Sequence, residues 1–187
     1  MRRPLLFTGM ILAGCAGRPP IVLPAQFEPP HIKVAPAAPG PQCRLHIAEV
    51  HDARDDTHFM GQLGDRPVRA TDSVAWVRSG LASLSRNSRI VLEGTDAPDV
   101  EARVDLIKGY VQGAASTKTA NVVLVASLHS GREPDSRKTY RGGEEGPDWA
   151  ASEEEALGIL NLALADALRD IAADVLARCG PIQKPGS

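Results

Sequence analysis

The chain has 187 residues, with 21 Lys and Arg against 23 Asp and Glu and a formal charge of −2 at pH 7. Such a balance excludes the basic surface that nucleic-acid binding requires. The few aromatics (3 Phe, 2 Trp, 2 Tyr) leave Val, Leu, Ile and Ala to fill a core; about 140 residues, once a leader and linker are set aside, suit one domain.

Residues 1–14 have the layout of a secretory signal, with Arg2 and Arg3 ahead of an apolar run that includes Leu5, Leu6, Phe7, Met10, Ile11 and Leu12. The run is too short to cross a bilayer, which needs roughly 20 helical residues. Leu12-Ala13-Gly14-Cys15 resembles the bacterial lipobox, which implies cleavage before Cys15 and lipid on it. Acyl chains at about 0.8 kcal/mol per buried CH₂ would hold such a chain on the membrane effectively permanently. Ala16 stands where enterobacterial lipoproteins kept at the inner membrane carry Asp, so the expected address is the outer membrane, with the domain facing the periplasm. Without Arg2 and Arg3 the balance is 19 basic against 23 acidic residues, a formal charge of −4.

Residues 15–42 read as the lipidated cysteine and a proline-rich tether, with Pro at 19, 20, 24, 29, 30, 36, 39 and 41. In polyproline II its 24 residues from Arg18 to Pro41 would reach about 75 Å at roughly 3.1 Å each, unless residues 21–27 pack along the domain. Residues 43–180 form the domain, and 181–187 a disordered tail. With Cys15 assigned to lipid, Cys43 and Cys179 remain at the two ends of the domain. In an oxidising compartment such a pair favours a disulfide, the alternative being two buried thiols.

Within the domain, residues 44–50 alternate as a strand, residues 51–58 are a polar loop, and residues 59–69 are a turn or short edge strand. Thr71 or Asp72 caps a helix with Val74, Val77, Leu81 and Leu84 at helical spacing. Trp76 falls off that stripe, toward the loop at 59–69. Residues 89–93 form a short strand. Val100, Ala102, Val104 and Leu106 alternate with charged residues in a strand with one wet face, and Leu106-Ile107 breaks the period like a bulge. A turn over 113–119 leads to 120–128, apolar on both faces and therefore central; a second copy of the chain is one way to cover its other face. Residues 137–141 are a polar edge strand and 142–148 a mobile loop. Ser152 and Glu155 form a capping box ahead of Leu157, Leu160, Leu164, Leu168, Ile171 and Val175, a stripe stopped by Gly180-Pro181. The pattern predicts an α+β fold: a mixed β-sheet of about four to five strands packed on one face by two helices, the C-terminal one longest.

His51, Asp52, Asp55, Asp56 and His58 are the one cluster with metal-ligand chemistry, but the spacing matches no H-E-x-x-H, C-x-x-C or EF-hand pattern, and a solvated loop is the expectation. No nucleophile elbow or phosphate-binding glycine pattern occurs, so neither catalysis nor a cofactor is expected. Tyr140 and Trp149 flank the acidic glycine loop and are the candidate partner-binding residues; for Trp149 the competing reading is packing over the first helical turn.

The opening strand with Asp52-Ala53-Arg54, the Thr-Lys-Thr-Ala-Asn-Val-Val-Leu entry at 117–124, Tyr140-Arg141-Gly142, Trp149 and the Ser-Glu-Glu-Glu helix start resemble the YajG-like lipoproteins of Gram-negative bacteria. The resemblance implies an outer-membrane or periplasm-facing lipoprotein, similar in layout to small α/β lipoprotein domains that assist secretion channels or peptidoglycan synthases. It carries over no catalytic residue. The sequence thus points to a non-catalytic binding or accessory module of a cell-envelope complex with a protein partner. The alternatives are an ABC-transporter auxiliary lipoprotein in lipid transport and a metal-dependent envelope enzyme using the 51–58 loop.

Overall fold

The computed structural model describes residues 18–28, 42–86, 89–92, 97–114, 116–131 and 133–179. The expected signal peptide, Cys15, the middle of the tether and the tail lie outside these residues. In chain order the described elements are β1 (Ile21–Leu23), β2 (Cys43–Asp52), β3 (Phe59–Leu63), β4 (Arg66–Ala70), α1 (Ser73–Ala82) with a 3₁₀ turn (Ser83–Arg86), β5 (Ile90–Leu92), β6 (Val100–Ala114), β7 (Thr117–Ser130), β8 (Glu133–Pro147) and α2 (Glu153–Cys179).

Among the described residues the fold is mixed α+β with two helices, as the pattern predicts, but the sheet has eight strands instead of four to five. Its spine is an antiparallel meander of β6, β7 and β8, each of 14 or 15 residues. On the other edge of β6, β2 pairs parallel with residues 100–106, and β3 pairs parallel at Val111 and Gln112. The two therefore lie end to end, like one strand interrupted by the 53–58 loop. The register slips between Leu106 and Lys108, where the sequence breaks period, and Ile107 is exposed. At the β3–β6 junction Gly61 sits at φ 110°, and a Cβ there would lie 1.9 Å from the Val111 carbonyl oxygen, so only glycine fits.

Three expectations are corrected. Residues 21–23 are not tether: they pair parallel with β4, and Ile21, Leu23 and Phe27 are buried, because Ile-Val-Leu gains more from the sheet than from water. Residues 59–69 are a β3–β4 hairpin inside the sheet. Residues 142–148 are not a loop; β8 continues to Pro147, paired with β7 throughout. Gly142 lies in that strand because α2 crosses it so closely that a Cβ would fall 1.8 Å from the Ala163 carbonyl oxygen.

Both helices pack on one face. Helix α2 opens on the expected capping box: the Glu155 N–H donates to Ser152 Oγ (3.1 Å), and the Ser152 N–H donates to Glu155 Oε2 (3.2 Å). It buries Leu160, Leu164, Leu168, Ile171 and Val175. Helix α1 is capped by Asp72, whose side chain accepts from the Ala75 N–H. Its buried face is Ser73, Trp76, Val77, Gly80 and Leu81, rotated from the expected stripe. Trp76 packs against α2, donating from Nε1 to Asn161 Oδ1 at 2.8 Å; this pairs two otherwise stranded buried polar groups. Cys43 and Cys179 are joined by a disulfide, Cα–Cα 5.5 Å, which ties the start of β2 to the last turn of α2.

Candidate functional site

Of the proposed site residues, Tyr140 and Trp149 end up in opposite environments. Tyr140 points under α2, is 1% exposed, and donates its hydroxyl to Asp174 Oδ2 at 2.8 Å. Lys138 Nζ reaches the same oxygen at 2.8 Å and stands 5.1 Å from the Tyr140 ring centroid. Burial, then the neighbouring Asp174 carboxylate, push the Tyr140 hydroxyl well above the usual tyrosine range. Burial also pushes the Asp174 carboxyl up, but the bonds from Lys138 and Tyr140 outweigh it and hold it low. Tyr140 is therefore a structural clamp between β8 and α2 and cannot anchor a partner.

Trp149 is 84% exposed. It does not pack over the first helical turn; it stands on the short link between β8 and α2. That link is held from beneath. Glu155 accepts from the main-chain N–H of Trp149 at Oε1 (3.1 Å) and from those of Ala150 (3.1 Å) and Ser152 at Oε2, and Lys118, itself buried, lies 3.2 Å from Oε1. Lys118 also donates to the Pro147 carbonyl. These bonds, the Ser152 one largest, lower the Glu155 pKa to about 2. Ala151 adopts φ 47°, with its carbonyl accepting from Arg66 Nη1 at 3.1 Å. The indole borders an open concavity of about 710 Å³, with Pro147, Ile159 and Leu162 as its apolar part and Glu144, Glu145 and Glu154 around it. A fixed backbone presenting a bare indole beside an acid-rimmed apolar hollow is suited to receive an apolar, basic-flanked group.

The 51–58 loop is dispersed by the fold. The His51 side chain lies 3.8 Å from Asp105, and Asp56 Oδ1 accepts from the N–H groups of His58 and Phe59. Asp52 faces Arg54 in a two-toothed pair, Nε to Oδ1 2.8 Å and Nη2 to Oδ2 2.6 Å, with side chains 5% and 7% exposed. Ser73 at the start of α1 donates to the same carboxylate, and Arg54 also reaches the carbonyls of Thr57 (2.6 Å) and Phe59 (2.9 Å). Burial alone would raise the Asp52 pKa; Arg54 and Ser73 together lower it. Asp52-Ala53-Arg54 thus locks the joint between β2, β3 and α1. Among the described residues, no three His, Cys, Asp or Glu gather as a metal site.

Sequence reading missed the open face of the sheet. There Glu49, Arg103, Ser127 and Arg137 stand in register across four strands, with His51 beside Asp105 and Glu101 opposite His129. Together with Asp135 they line a shallow concavity of about 740 Å³. Arg137 bonds Asp105 at 3.0 Å, Arg103 bonds Glu101 at 3.3 Å, and His129 lies 2.5 Å from Asp135. The wet side of the β6 alternation was its only sequence signal.

Among the described residues, no helix is long and apolar enough to cross a membrane. Neither a protein-family model nor a curated protein sequence matches the chain. Solved structures do. Protein XCC0632 from Xanthomonas campestris (family model DUF330) is similar at TM-score 0.58 and 12% identity, covering 84% of this chain and 95% of that one. An uncharacterized protein is similar at TM-score 0.50 and 14% identity, covering 73% of this chain and 94% of that one. The lipoprotein GNA1162 from Neisseria meningitidis gives TM-score 0.39 at 8% identity, over 71% of this chain and 99% of that one. At these identities the first two likenesses are of fold alone: this chain has the same α+β architecture as the Xanthomonas protein.

Proposed function

We propose that the chain is an outer-membrane lipoprotein anchored through Cys15, whose domain is a non-catalytic accessory module that docks an envelope protein at the Trp149 concavity. The observation that carries the reading is Trp149 itself: a large aromatic left 84% exposed on a turn that Glu155 and Lys118 hold rigid. Indoles presented this way dominate binding energy at interfaces because they lose little side-chain freedom on docking. The acidic rim selects a partner segment with basic residues around an apolar tip. The non-catalytic reading rests on where the perturbed groups are used: Asp52, Asp174 and Glu155 each hold two elements together. The lipid-transport alternative asks for an apolar groove, whereas the concavity on the open sheet face is lined mainly by ionisable side chains.

The test is site-specific photocrosslinking of the full chain in cells, with the probe at position 149 and, for comparison, at Ser127 on the open face. A discrete protein adduct from 149 and none from 127 is expected, and Trp149→Ala should leave the melting temperature within about 2 °C, as exposed positions do. Equal labelling from both positions, or none from 149, removes the reading.

A further inference from the structure

Among the described residues, strand β8 is the one long strand with an unused edge: over its 15 residues it pairs with β7 alone. The direction of its main chain is fixed by two bonds. The Asp148 N–H points to the β7 side, donating to the Ser116 carbonyl at 2.9 Å, while the Gly143 N–H points away and meets only Asp166 Oδ2 at 3.4 Å. By alternation, residues 137, 139, 141, 143 and 145 turn their N–H and C=O groups outward along the edge. An open edge of this length is a template for another strand.

The side chains along it say which strand. The N-terminal half carries Arg137 and Lys138 after Glu133 and Asp135 at its start, Arg141 lies at the centre, and the C-terminal half carries Glu144 and Glu145. Antiparallel pairing of two copies about a two-fold axis at Arg141 sets Arg137 against Glu145 and Lys138 against Glu144, each twice. It also matches outward-facing residues only with outward-facing ones: 137 with 145, 139 with 143, and 141 with itself, where Arg141 is the one charge set against its like, outweighed by the four opposite pairs around it. Moving the axis to residue 140 opposes Asp135 to Glu145, and parallel in-register pairing opposes every charge to its like. We propose that β8 pairs with β8 of a second copy of this chain in that register, joining the two sheets into one through about ten new main-chain hydrogen bonds. The strand edge, not the open face, is where two copies meet. The weak Asp166 bond to Gly143 is exchanged for the Thr139 carbonyl of the second copy.

Two arms test this on the full-length protein in detergent. In the first, Arg141→Cys places two cysteines at a hydrogen-bonded pair with Cα atoms about 5.5 Å apart, within disulfide range. Oxidation should give an interchain dimer, whereas Thr139→Cys alone, displaced along the strand from its own copy, should give none. In the second, sedimentation of Arg137→Glu alone and of Glu145→Arg alone should each show association weakened about tenfold, since like charges then face each other twice. Mixing the two variants should restore it, because every cross pair is again opposite. A wild type that stays monomeric, equal crosslinking from 139 and 141, or a mixture no stronger than its components would each overturn the proposal. Should the Arg141→Cys variant instead trap a different protein, the edge serves a foreign strand and self-pairing is likewise refuted.

Discussion

Replacing Arg54 with Ala removes one half of the Asp52–Arg54 pair and leaves the other in place. The Asp52 side chain is 5% exposed, so its carboxylate would keep Ser73 and lose both guanidinium bonds. Breaking a buried pair from one side costs about 3–5 kcal/mol. The low end applies here, because the Thr57 and Phe59 carbonyls that Arg54 also binds are at the surface and water can replace it there. A loss of about 3 kcal/mol lowers the melting temperature by roughly 10 °C for a domain of this size, readable by circular dichroism. The acid dependence supplies a second check. The folded-state pKa of Asp52 lies below its unfolded value of 3.8, so its contribution is complete above that value and fades as the pH falls through the folded one. The gap between wild type and Arg54→Ala should therefore narrow below about pH 4, and Asp52→Asn/Arg54→Ala should recover at least about 1 kcal/mol of what the single change loses. A single variant melting within about 2 °C of wild type, or a gap unchanged in acid, would refute a lock at this joint.

Three further outcomes are expected. Gly142→Ala should destabilise by about 3 kcal/mol or more, since main chain cannot yield as a side chain can; Gly146→Ala, with no atom within 4 Å of the added Cβ, should be near neutral in the same urea titration. Cys43→Ser/Cys179→Ser, opening a bridge across a separation of 136 residues, should lower stability by about 4–5 kcal/mol, and reductant should do the same to wild type but nothing to the variant. Glu155 has its folded pKa near 2 against 4.5 unfolded, so its contribution is present above pH 4.5 and lost as the pH falls through about 2. Glu155→Gln should show a flatter stability profile across that window, measured by denaturation at stepped pH.

What the sequence disclosed was what neighbouring residues decide between themselves. The capping box and apolar stripe of α2, the alternation of β6 and its break at Ile107 all depend on spacing within a few residues, and all appear in the structure. What it concealed depends on partners far along the chain. Three apolar residues between prolines carry no period of their own; β1 exists because β4, 47 residues later, offers an edge. Residues 142–146 look like a loop because Gly and Glu dominate, yet Gly142 is required by the passage of α2 at Ala163. Tyr140 looked like an anchor beside a loop until Asp174 claimed its hydroxyl. Trp76 fell outside the assumed stripe because α1 is turned so that Gly80, not a larger residue, faces Leu164 and Leu168. Trp149 alone kept its candidacy, since exposure was the property it needed.

Strand β1 also changes the geometry of attachment. With Ile21 already in the sheet, an anchor on Cys15 leaves only residues 15–20 as a leash, about 20 Å at roughly 3.3 Å per residue, where an unpaired tether would have reached several times farther. Arg66 spans the exit of that leash and the Trp149 turn, donating to the Pro19 carbonyl at 3.0 Å and to the Ala151 carbonyl at 3.1 Å. On the proposed anchor, the Trp149 end of the domain is the membrane end, and the proposed partner is one that lies in or close against the lipid surface. In a pair joined through β8 the two such ends point in opposite directions along the strands, so both leashes reach one bilayer only if the joined sheet lies flat along it, like a plank moored at opposite corners.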